Sequence, residues 1–234
     1  MTTFVAAKMT LSKTPAMRKT VLQPRTRRNA SSANDHPTRQ RLLAAALELL
    51  DAHLPAEIST DMVLVRSGAS KGSLYHHFED LADLLETALA QMFSRTVDQN
   101  ILDFVTVIEQ ATSAQELFDR LVIATRMTQS PELRPNRFRR ARLLVYSETN
   151  PRFAERLAKE QARLTDALTD LFRSAQDKGW MAADFDPRAG AVLVQAYTLG
   201  KMIDDISTNP MDSEGWKNIV VKIIRDVFMR NVLD

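Results

Sequence analysis

Apolar residues recur with the period of an α-helix along most of the chain. The first such stretch, TRQRLLAAALELLDAH, follows the cluster Asn34-Asp35-His36-Pro37, which is typical of a helix start. Its apolar side chains fall three and four positions apart, at Leu42, Ala45, Ala46, Leu49 and Leu50. Residues with this spacing share one face of a helix. The pattern therefore predicts an amphipathic first helix, which Pro55 ends.

Two short helices are predicted after the first one. Ser59 or Thr60 can cap the second, DMVLVR, and Ser70 can cap a third that runs through Phe78, because a hydroxyl oxygen accepts a hydrogen bond from first-turn N–H groups. Between them lies Ser67-Gly68-Ala69, a turn of the length that joins the helices of a helix-turn-helix. Glycine stands where this turn is expected to need a positive φ.

Longer helices with short breaks are predicted for the remainder of the chain. Helix-start signals stand at Ser113-Ala-Gln-Glu116, Asn150-Pro151 and Asp186-Pro187. The helix after Asp186-Pro187 is expected to extend to Ile206. The last helix has a regular apolar stripe: Trp216, Ile219, Val220, Ile223, Ile224, Val227 and Phe228. The chain is therefore predicted to be all-α.

Composition agrees with an all-α fold and narrows the chemistry. Apolar residues make up 44% of the chain and glycine occurs only six times, a balance typical of helical proteins. The lack of cysteine excludes disulfides and thiol chemistry and suits a cytoplasmic protein. No apolar run approaches the roughly 18 residues that span a bilayer, so no membrane partner is predicted.

The sequence contains no recognisable motif for a catalytic, cofactor or metal site. The chain has no glycine-rich phosphate loop and no His-Glu-x-x-His helix. His76 and His77 are neighbours and diverge by about 100° on a helix, which makes them a poor metal pair. No catalytic residue, metal site or cofactor is assigned, and the chain is not expected to be an enzyme.

Charge is distributed unevenly along the chain. Residues 1–34 contain seven basic side chains and no acidic one, and since the whole chain carries +2, residues 35–234 carry −5. With many serines and threonines and no apolar period, residues 1–34 are predicted to form a disordered basic arm that is drawn to polyanions. A solvated tail without function and an organelle transit peptide are alternatives for this segment.

The stretch SGASKGSLYHHF, residues 67–78, has the strongest functional signal. Leu74 and Phe78 are expected to point into the core. The side chains left toward solvent can all form hydrogen bonds: Lys71, Ser73, Tyr75, His76 and His77. The N–H groups at a helix N-terminus favour phosphate, and Gly72 removes a side chain where a backbone approaches closely. Hydroxyl and imidazole groups position a protein on phosphates, and Lys71 can reach a phosphate or a guanine edge.

Together with RQRLLAAALELL, the run SGASKGSLYHHFEDLADLLETAL resembles the DNA-binding domain of the TetR/AcrR family of bacterial transcriptional repressors. This resemblance implies that the start of the second helix lies near the DNA backbone and that the third helix faces the DNA. Combined with the helix-end argument, it gives these predicted contacts: Ser59, Thr60, Ser70, Lys71, Gly72, Ser73, Tyr75, His76 and His77. The chain departs from the family pattern at HLPAE, which replaces a glycine-aromatic pair, and at Leu81, which replaces a common lysine.

The resemblance also implies a domain organisation and an assembly. Residues 1–34 form the basic arm, 35–82 the helix-turn-helix domain, and 83–234 a larger helical effector-binding and dimerisation domain. The helix at 188–206 has little polar face, so it is either a central core helix or part of a dimer interface. The resemblance favours a homodimer through helices near 187–206 and 213–230. Such a dimer reads a palindromic operator with two recognition helices, and a small-molecule effector releases it.

The charge of the predicted DNA-binding region leaves a second function open. Residues 37–88 contain more acidic than basic side chains, whereas phosphate neutralisation supplies most non-specific DNA affinity. Either the basic arm provides this affinity, or the chain is a helical small-molecule binding or interaction protein with a non-functional helix-turn-helix.

The effector pocket is not assigned from sequence. Some side chains can line an apolar pocket, although residues of this type at helical spacing are more often plain core: Phe93, Phe104, Met127, Phe138, Tyr146, Trp180 and Tyr197. The cluster Arg134, Arg137, Arg139, Arg140 and Arg142 suits an anionic effector or partner, or else a solvated face with intramolecular ion pairs.

Overall fold

A computed structural model describes residues 36–233, and all regular structure within this range is helical. The helices are α1 Pro37–Ala52, α2 Thr60–Ser67, α3 Lys71–His77, α4 Leu81–Glu109, α5 Ala114–Thr128, α6 Arg134–Thr149, α7 Pro151–Asp177, α8 Pro187–Gly200, α9 Met202–Asp205 and α10 Ser213–Ile223. A π-helical turn, Ile224–Phe228, continues α10. The predicted all-α class is confirmed. The predicted basic arm at 1–34 lies outside the described residues.

Side-chain caps fix the start of several helices. The Ser59 hydroxyl oxygen accepts a hydrogen bond from the Met62 N–H at 3.3 Å, so Ser59 caps α2 and Thr60 is its first residue. Ser70 and Ser113 cap α3 and α5 in the same way, as the sequence predicted. Asp186 accepts from two N–H groups at the start of α8. Each cap of this kind stabilises its helix by about 1 kcal/mol.

The turn between α2 and α3 depends on Gly68. Its φ is 63°, in the left-handed region, and its N–H donates to the Leu64 carbonyl, which closes α2. A residue with a side chain is strained in this conformation, whereas glycine adopts it readily. The predicted positive φ is therefore confirmed, and it fixes the direction in which α3 leaves the turn.

Two hydrophobic cores share the helix α4. The first core packs α1, α2 and α3 against the beginning of α4, and its buried residues include Leu42, Val63, Leu74, Phe78, Leu84 and Ala88. The second core begins at Leu89 and Phe93 of α4 and collects apolar residues from α5, α6, α7, α8 and α10. The predicted boundary at 82/83 remains a prediction; the change from one core to the other falls between Ala88 and Leu89.

The predicted single helix at 188–206 is interrupted. α8 ends at Gly200, and α9 starts at Met202. Lys201 between them has φ −54° and ψ −25°, values close to those of a 3₁₀-helix. Glycine is a poor helix former, and the Asp205 carboxylate is drawn to Arg137 at 2.7 Å. These two features explain why the backbone tightens here.

α8 is also not a central core helix of the described chain. Val192 and Leu193 are 53% and 41% exposed, and Ile203 of α9 is 76% exposed. Only Gly190 and Ala191 of α8 are fully buried. The interpretation as a central core helix is therefore wrong, because the side chains that make the helix so apolar face outward. No helix among residues 36–233 combines the length and hydropathy needed to cross a membrane.

Candidate DNA-binding site

The third helix presents a polar face that is held in place from behind. Leu74 and Phe78 are buried in the first core with Val63, as predicted. On the opposite side Lys71, Tyr75 and His76 are exposed, with Tyr75 49% accessible. Because the two apolar side chains are one helical turn apart, they fix the rotation of α3 about its axis. The helix therefore displays its hydrogen-bonding side chains on a rigid support.

The start of α3 is ordered by two serines. The Ser70 hydroxyl oxygen accepts a hydrogen bond from the Ser73 N–H at 3.2 Å and lies 2.9 Å from the Ser73 hydroxyl. Gly68-Ala-Ser70-Lys-Gly72 also has the spacing of a hydrolase nucleophile elbow, but Ser70 follows a helix and caps the next one, whereas an elbow serine follows a strand. Ser70 is therefore a helix cap and not a nucleophile.

Gly72 is not required by packing within the chain. A Cβ placed on Gly72 would have the Ser70 hydroxyl oxygen at 4.0 Å as its nearest neighbour, which is ordinary van der Waals contact. The residue is exposed in the first turn of α3. No neighbour among the described residues therefore requires glycine at this position.

The remaining predicted contacts lie at the two ends of this motif. Ser59 is exposed and Thr60 is half-buried, both at the start of α2. His76 and His77 form the last turn of α3, with ring centroids 4.9 Å apart in an edge-on arrangement. The structure thus brings the nine sequence-predicted residues to the start of α2 and to α3.

Acidic residues after α3 are neutralised by α7. The Arg152 guanidinium donates hydrogen bonds to Glu86 at 2.7 Å, to Glu79 at 2.9 Å and to Asp80 at 3.2 Å. Glu86 is buried, with 3% of its surface exposed. The hydrogen bond to Glu86 raises the pKa of Arg152. Part of the acidity that the sequence places in the helix-turn-helix region is therefore paired with an arginine of α7.

A second arginine of α7 strengthens this connection. Arg156 donates to the Asp83 carboxylate at 2.7 Å and to the Thr87 hydroxyl at 2.9 Å. Burial alone would raise the pKa of Asp83, but hydrogen bonds from Arg156 and the Glu79 N–H outweigh it, so the pKa is lowered. Sequence reasoning missed these contacts. The available signal was the pairing of an acidic stretch, EDLADLLE, with arginines four positions apart in α7.

The second core encloses a small cavity. Its volume is about 70 Å³, and its walls come from α4, α5, α7, α8, α10 and the π-helical turn that follows. Among the few polar groups on the wall, the Thr125 and Tyr197 hydroxyls lie 3.3 Å apart, and the buried Trp216 indole N–H has no hydrogen-bond partner within the described chain. Of the residues suggested as pocket lining, Phe104 and Tyr197 line this cavity.

These features define a class of protein. A three-helix module with an exposed polar recognition helix, continued through α4 into a larger helical domain, is a helix-turn-helix DNA-binding protein. Residues 42–88 match the family described as "Bacterial regulatory proteins, tetR family", and the buried residues of the first core span the same range. Residues 42–88 thus form a DNA-binding domain of the TetR family, so the predicted resemblance is confirmed, and the matches support a transcriptional regulator rather than an enzyme.

Similar proteins support this assignment. The transcriptional regulator AcuR of Cereibacter sphaeroides is 28% identical over 191 residues, which are 76% of this chain and 79% of AcuR. A regulator from Saccharomonospora viridis, solved with choline, has a TM-score of 0.57 at 20% identity and covers 81% of this chain and 96% of its own. FadR of Bacillus subtilis, solved with stearoyl-CoA, has a TM-score of 0.52 at 14% identity and covers 83% of this chain and 99% of its own. At these sequence identities, the last two similarities show a shared fold and nothing further.

Proposed function

We propose that the protein is a ligand-responsive repressor that binds a palindromic operator as a homodimer and is released by a small-molecule effector. The observation that carries the proposal is the exposed polar face of α3, supported from behind by Leu74 and Phe78. The residues proposed to contact DNA are Ser59, Thr60, Ser70, Lys71, Gly72, Ser73, Tyr75, His76 and His77. Repression is the common mode in the family.

Each proposed contact has a physical role at a DNA surface. Exposed hydroxyl and imidazole groups of Tyr75 and His76 donate to phosphate oxygens and set the position of the helix, whereas Lys71 reaches a phosphate or the acceptors of guanine. Gly72 lets the first turn of α3 approach the backbone closely. Since Arg152 and Arg156 pair with four acidic residues behind α3, they offset part of the negative charge that opposes DNA.

An exposed apolar surface on the second domain supports dimerisation. Its members come from α8, α9, α10 and the adjoining turns, and each is at least 41% exposed: Val192, Leu193, Ile203, Ile206, Ile219 and Val227. A monomer rarely leaves such side chains close together in water. A two-fold axis through this surface buries the same residues of both copies. The pair can then place two copies of α3 about 34–36 Å apart, one turn of DNA.

Binding of an effector is supported by the interior of the second domain and by its relatives. The cavity near Tyr197 and Trp216 combines apolar walls with a few polar atoms, as ligand sites do. Proteins with the same fold have been solved with choline and with stearoyl-CoA. A ligand that favours one arrangement of α7 acts on the start of α4, which directly follows α3, because Arg152 and Arg156 connect α7 to that segment.

Selection from random duplex DNA tests the proposal. Full-length protein at about 150 mM salt is expected to enrich a palindrome, because phosphate contacts persist at this ionic strength while sequence readout dominates. The variant with Lys71→Ala and Tyr75→Phe should bind the selected site more weakly while its melting temperature and dimerisation stay unchanged. If a folded, dimeric protein enriches no sequence, the chain is instead a helical ligand-binding protein with a non-functional helix-turn-helix.

A further inference from the structure

Helix α6 has two arginines that point into the second domain, and their surroundings differ. Arg137 is 4% exposed. Its guanidinium donates to the two carboxylate oxygens of Asp205 at 2.7 and 2.9 Å and to the carbonyls of Thr128 and Ser130. The charge of Arg137 is thus cancelled by a carboxylate, and the hydrogen bond from Arg137 lowers the pKa of Asp205.

Arg140, one turn further along α6, has no such partner. Its Nη2 donates to the amide oxygens of Gln161 at 2.9 Å and Gln195 at 3.1 Å. Its Nε–H is buried and forms no hydrogen bond with any part of residues 36–233. No carboxylate in that range lies within 4 Å of the guanidinium. Arg140 is therefore a largely buried cation held only by neutral groups.

Such an arrangement is unfavourable for the protein alone. Taking a guanidinium out of water is unfavourable unless a carboxylate and further hydrogen bonds compensate for the lost hydration. Burial lowers the pKa of Arg140, but arginine keeps its proton near neutral pH. An unpaired N–H on a charged group adds a further penalty. The chain pairs Arg137 and leaves Arg140 unpaired, although the two are three residues apart.

The groups around Arg140 form an organised polar wall. The Gln161 amide donates to the Gln195 oxygen at 2.7 Å, and both glutamine amides donate to the Thr165 hydroxyl, at 3.2 and 3.1 Å. The buried ring of Phe93 lies on another side, with its centroid 5.9 Å from the guanidinium carbon. Helices α4, α6, α7 and α8 thus converge on one positive charge. Val194, the neighbour of Gln195 on α8, lines the cavity of the second core.

We propose that Arg140 binds the carboxylate of a small organic anion, and that this anion is the effector; the second statement rests on the function proposed above. A carboxylate on the Nε edge accepts from Nε–H and replaces one glutamine oxygen on Nη2, which gives the planar two-bond geometry that arginine favours. The released glutamine amide then donates to the ligand or to Thr165. Phe93 contacts the apolar part of the anion. A single negative charge cancels the charge of Arg140.

The position of Arg140 connects binding to DNA. Gln161 belongs to α7, the helix that starts with Arg152 and its contacts to Glu79, Asp80 and Glu86. An anion that redistributes the hydrogen bonds of Gln161 therefore acts on the helix that holds the segment between α3 and α4. A ligand whose affinity depends on the arrangement of α7 meets the requirement for an effector.

The test compares carboxylates with their neutral amides. Acetate, propionate, butyrate and benzoate, each beside the matching amide, are added to the full-length protein at constant ionic strength with chloride. Binding is measured by calorimetry and by the shift in melting temperature, since a ligand that binds only the native state raises it. The variants are Arg140→Gln, Arg140→Lys and, as a matched control, Arg139→Gln, whose arginine is exposed on the same helix.

We expect at least one carboxylate to bind the native protein and the Arg139→Gln variant equally, while its amide does not bind. Arg140→Gln should weaken binding of that carboxylate by at least about 10-fold, the effect of losing a charge-assisted hydrogen bond. The affinity of Arg140→Lys should lie between those of the native protein and Arg140→Gln. Without ligand, Arg140→Gln should melt no lower than the native protein. A carboxylate that binds no better than its amide, or that binds Arg140→Gln unchanged, overturns the site.

Release of DNA is measured in an experiment separate from the binding of the carboxylate. The anion is added to the complex of the protein with its selected operator, and the native protein should dissociate while Arg140→Gln stays bound. Binding of the anion without release keeps the carboxylate site and overturns its role as the effector. A protein that binds no DNA under any condition overturns the regulator function, while the calorimetry still decides the site.

Discussion

Removal of Arg152 should expose how strongly the two domains are coupled. Its Nε lies 2.7 Å from the Glu86 carboxylate, and the Glu86 side chain is 4% exposed. In Arg152→Ala, the nearest remaining cation is Arg156 at 3.9 Å, and Glu79 and Asp80 lose their partner as well. A buried carboxylate is then left almost without compensation.

The expected cost follows from burial. Breaking a fully buried ion pair costs about 3–5 kcal/mol. Arg152 is 35% exposed and Arg156 remains nearby, so we expect about 2–3 kcal/mol for Arg152→Ala. For a chain of this size each kcal/mol shifts the melting temperature by roughly 2–4 °C. The variant should therefore melt about 4–12 °C below the native protein.

A double-mutant cycle separates this ion pair from simple loss of contacts. Glu86→Gln removes the buried charge, so adding it to Arg152→Ala should recover most of the loss, with a coupling energy near 2 kcal/mol. Arg163→Ala is the matched control on α7, since its pair with Asp98 is solvent-exposed and worth less than about 1 kcal/mol. Thermal unfolding is measured at one protein concentration, because dimerisation also stabilises. Additivity of the two changes to within about 0.5 kcal/mol would refute the reasoning.

Three further predictions concern DNA binding and pH. Gly72→Ala should leave the melting temperature unchanged or higher and weaken operator binding, whereas Gly215→Ala, a change in the first turn of α10, should leave DNA binding intact; equal DNA affinity in both rejects the proposed close approach. Deletion of residues 1–34 should weaken DNA binding and reduce its salt dependence; an unchanged salt slope in a filter-binding titration contradicts a role for the arm. Because the pKa of Asp205 is lowered from 3.8 in the folded state, its contribution to stability is complete above about pH 5 and is lost as the pH falls below 3.8. Acid unfolding of Asp205→Asn should accordingly depend less on pH in this window than that of the native protein.

The sequence predicts the parts of the fold that are determined locally. The caps at Ser59 and Ser70, the positive φ of Gly68 and the inward pair Leu74 and Phe78 follow from spacing and from residue type. Such features involve residues within one or two turns, so the physics that determines them is visible in a short window. The helix-turn-helix and its family were recognisable for this reason.

Contacts between distant residues were not predictable in the same way. Arg152 meets Glu86 across 66 positions of sequence, and Arg137 meets Asp205 across 68. The sequence shows a cluster of arginines, but it does not show which of them lacks a carboxylate partner, because that depends on how α6, α7 and α8 pack. The exposure of Val192 and Ile203 likewise depends on which face of an all-apolar helix meets the core.

The helix α4 is long enough to convert a small tilt at one core into a larger displacement at the other. Its 29 residues span about 43 Å at 1.5 Å per residue, and each core holds one end of it. A tilt of about 5° set in the second core moves the opposite end by roughly 4 Å, close to the 3.4 Å rise of one base pair. In the proposed homodimer, two such movements change the separation of the recognition helices by more than one step of DNA. Under the proposed function, a rearrangement of the second core that is small compared with a side chain is thus sufficient to bring the recognition helices in or out of register with an operator.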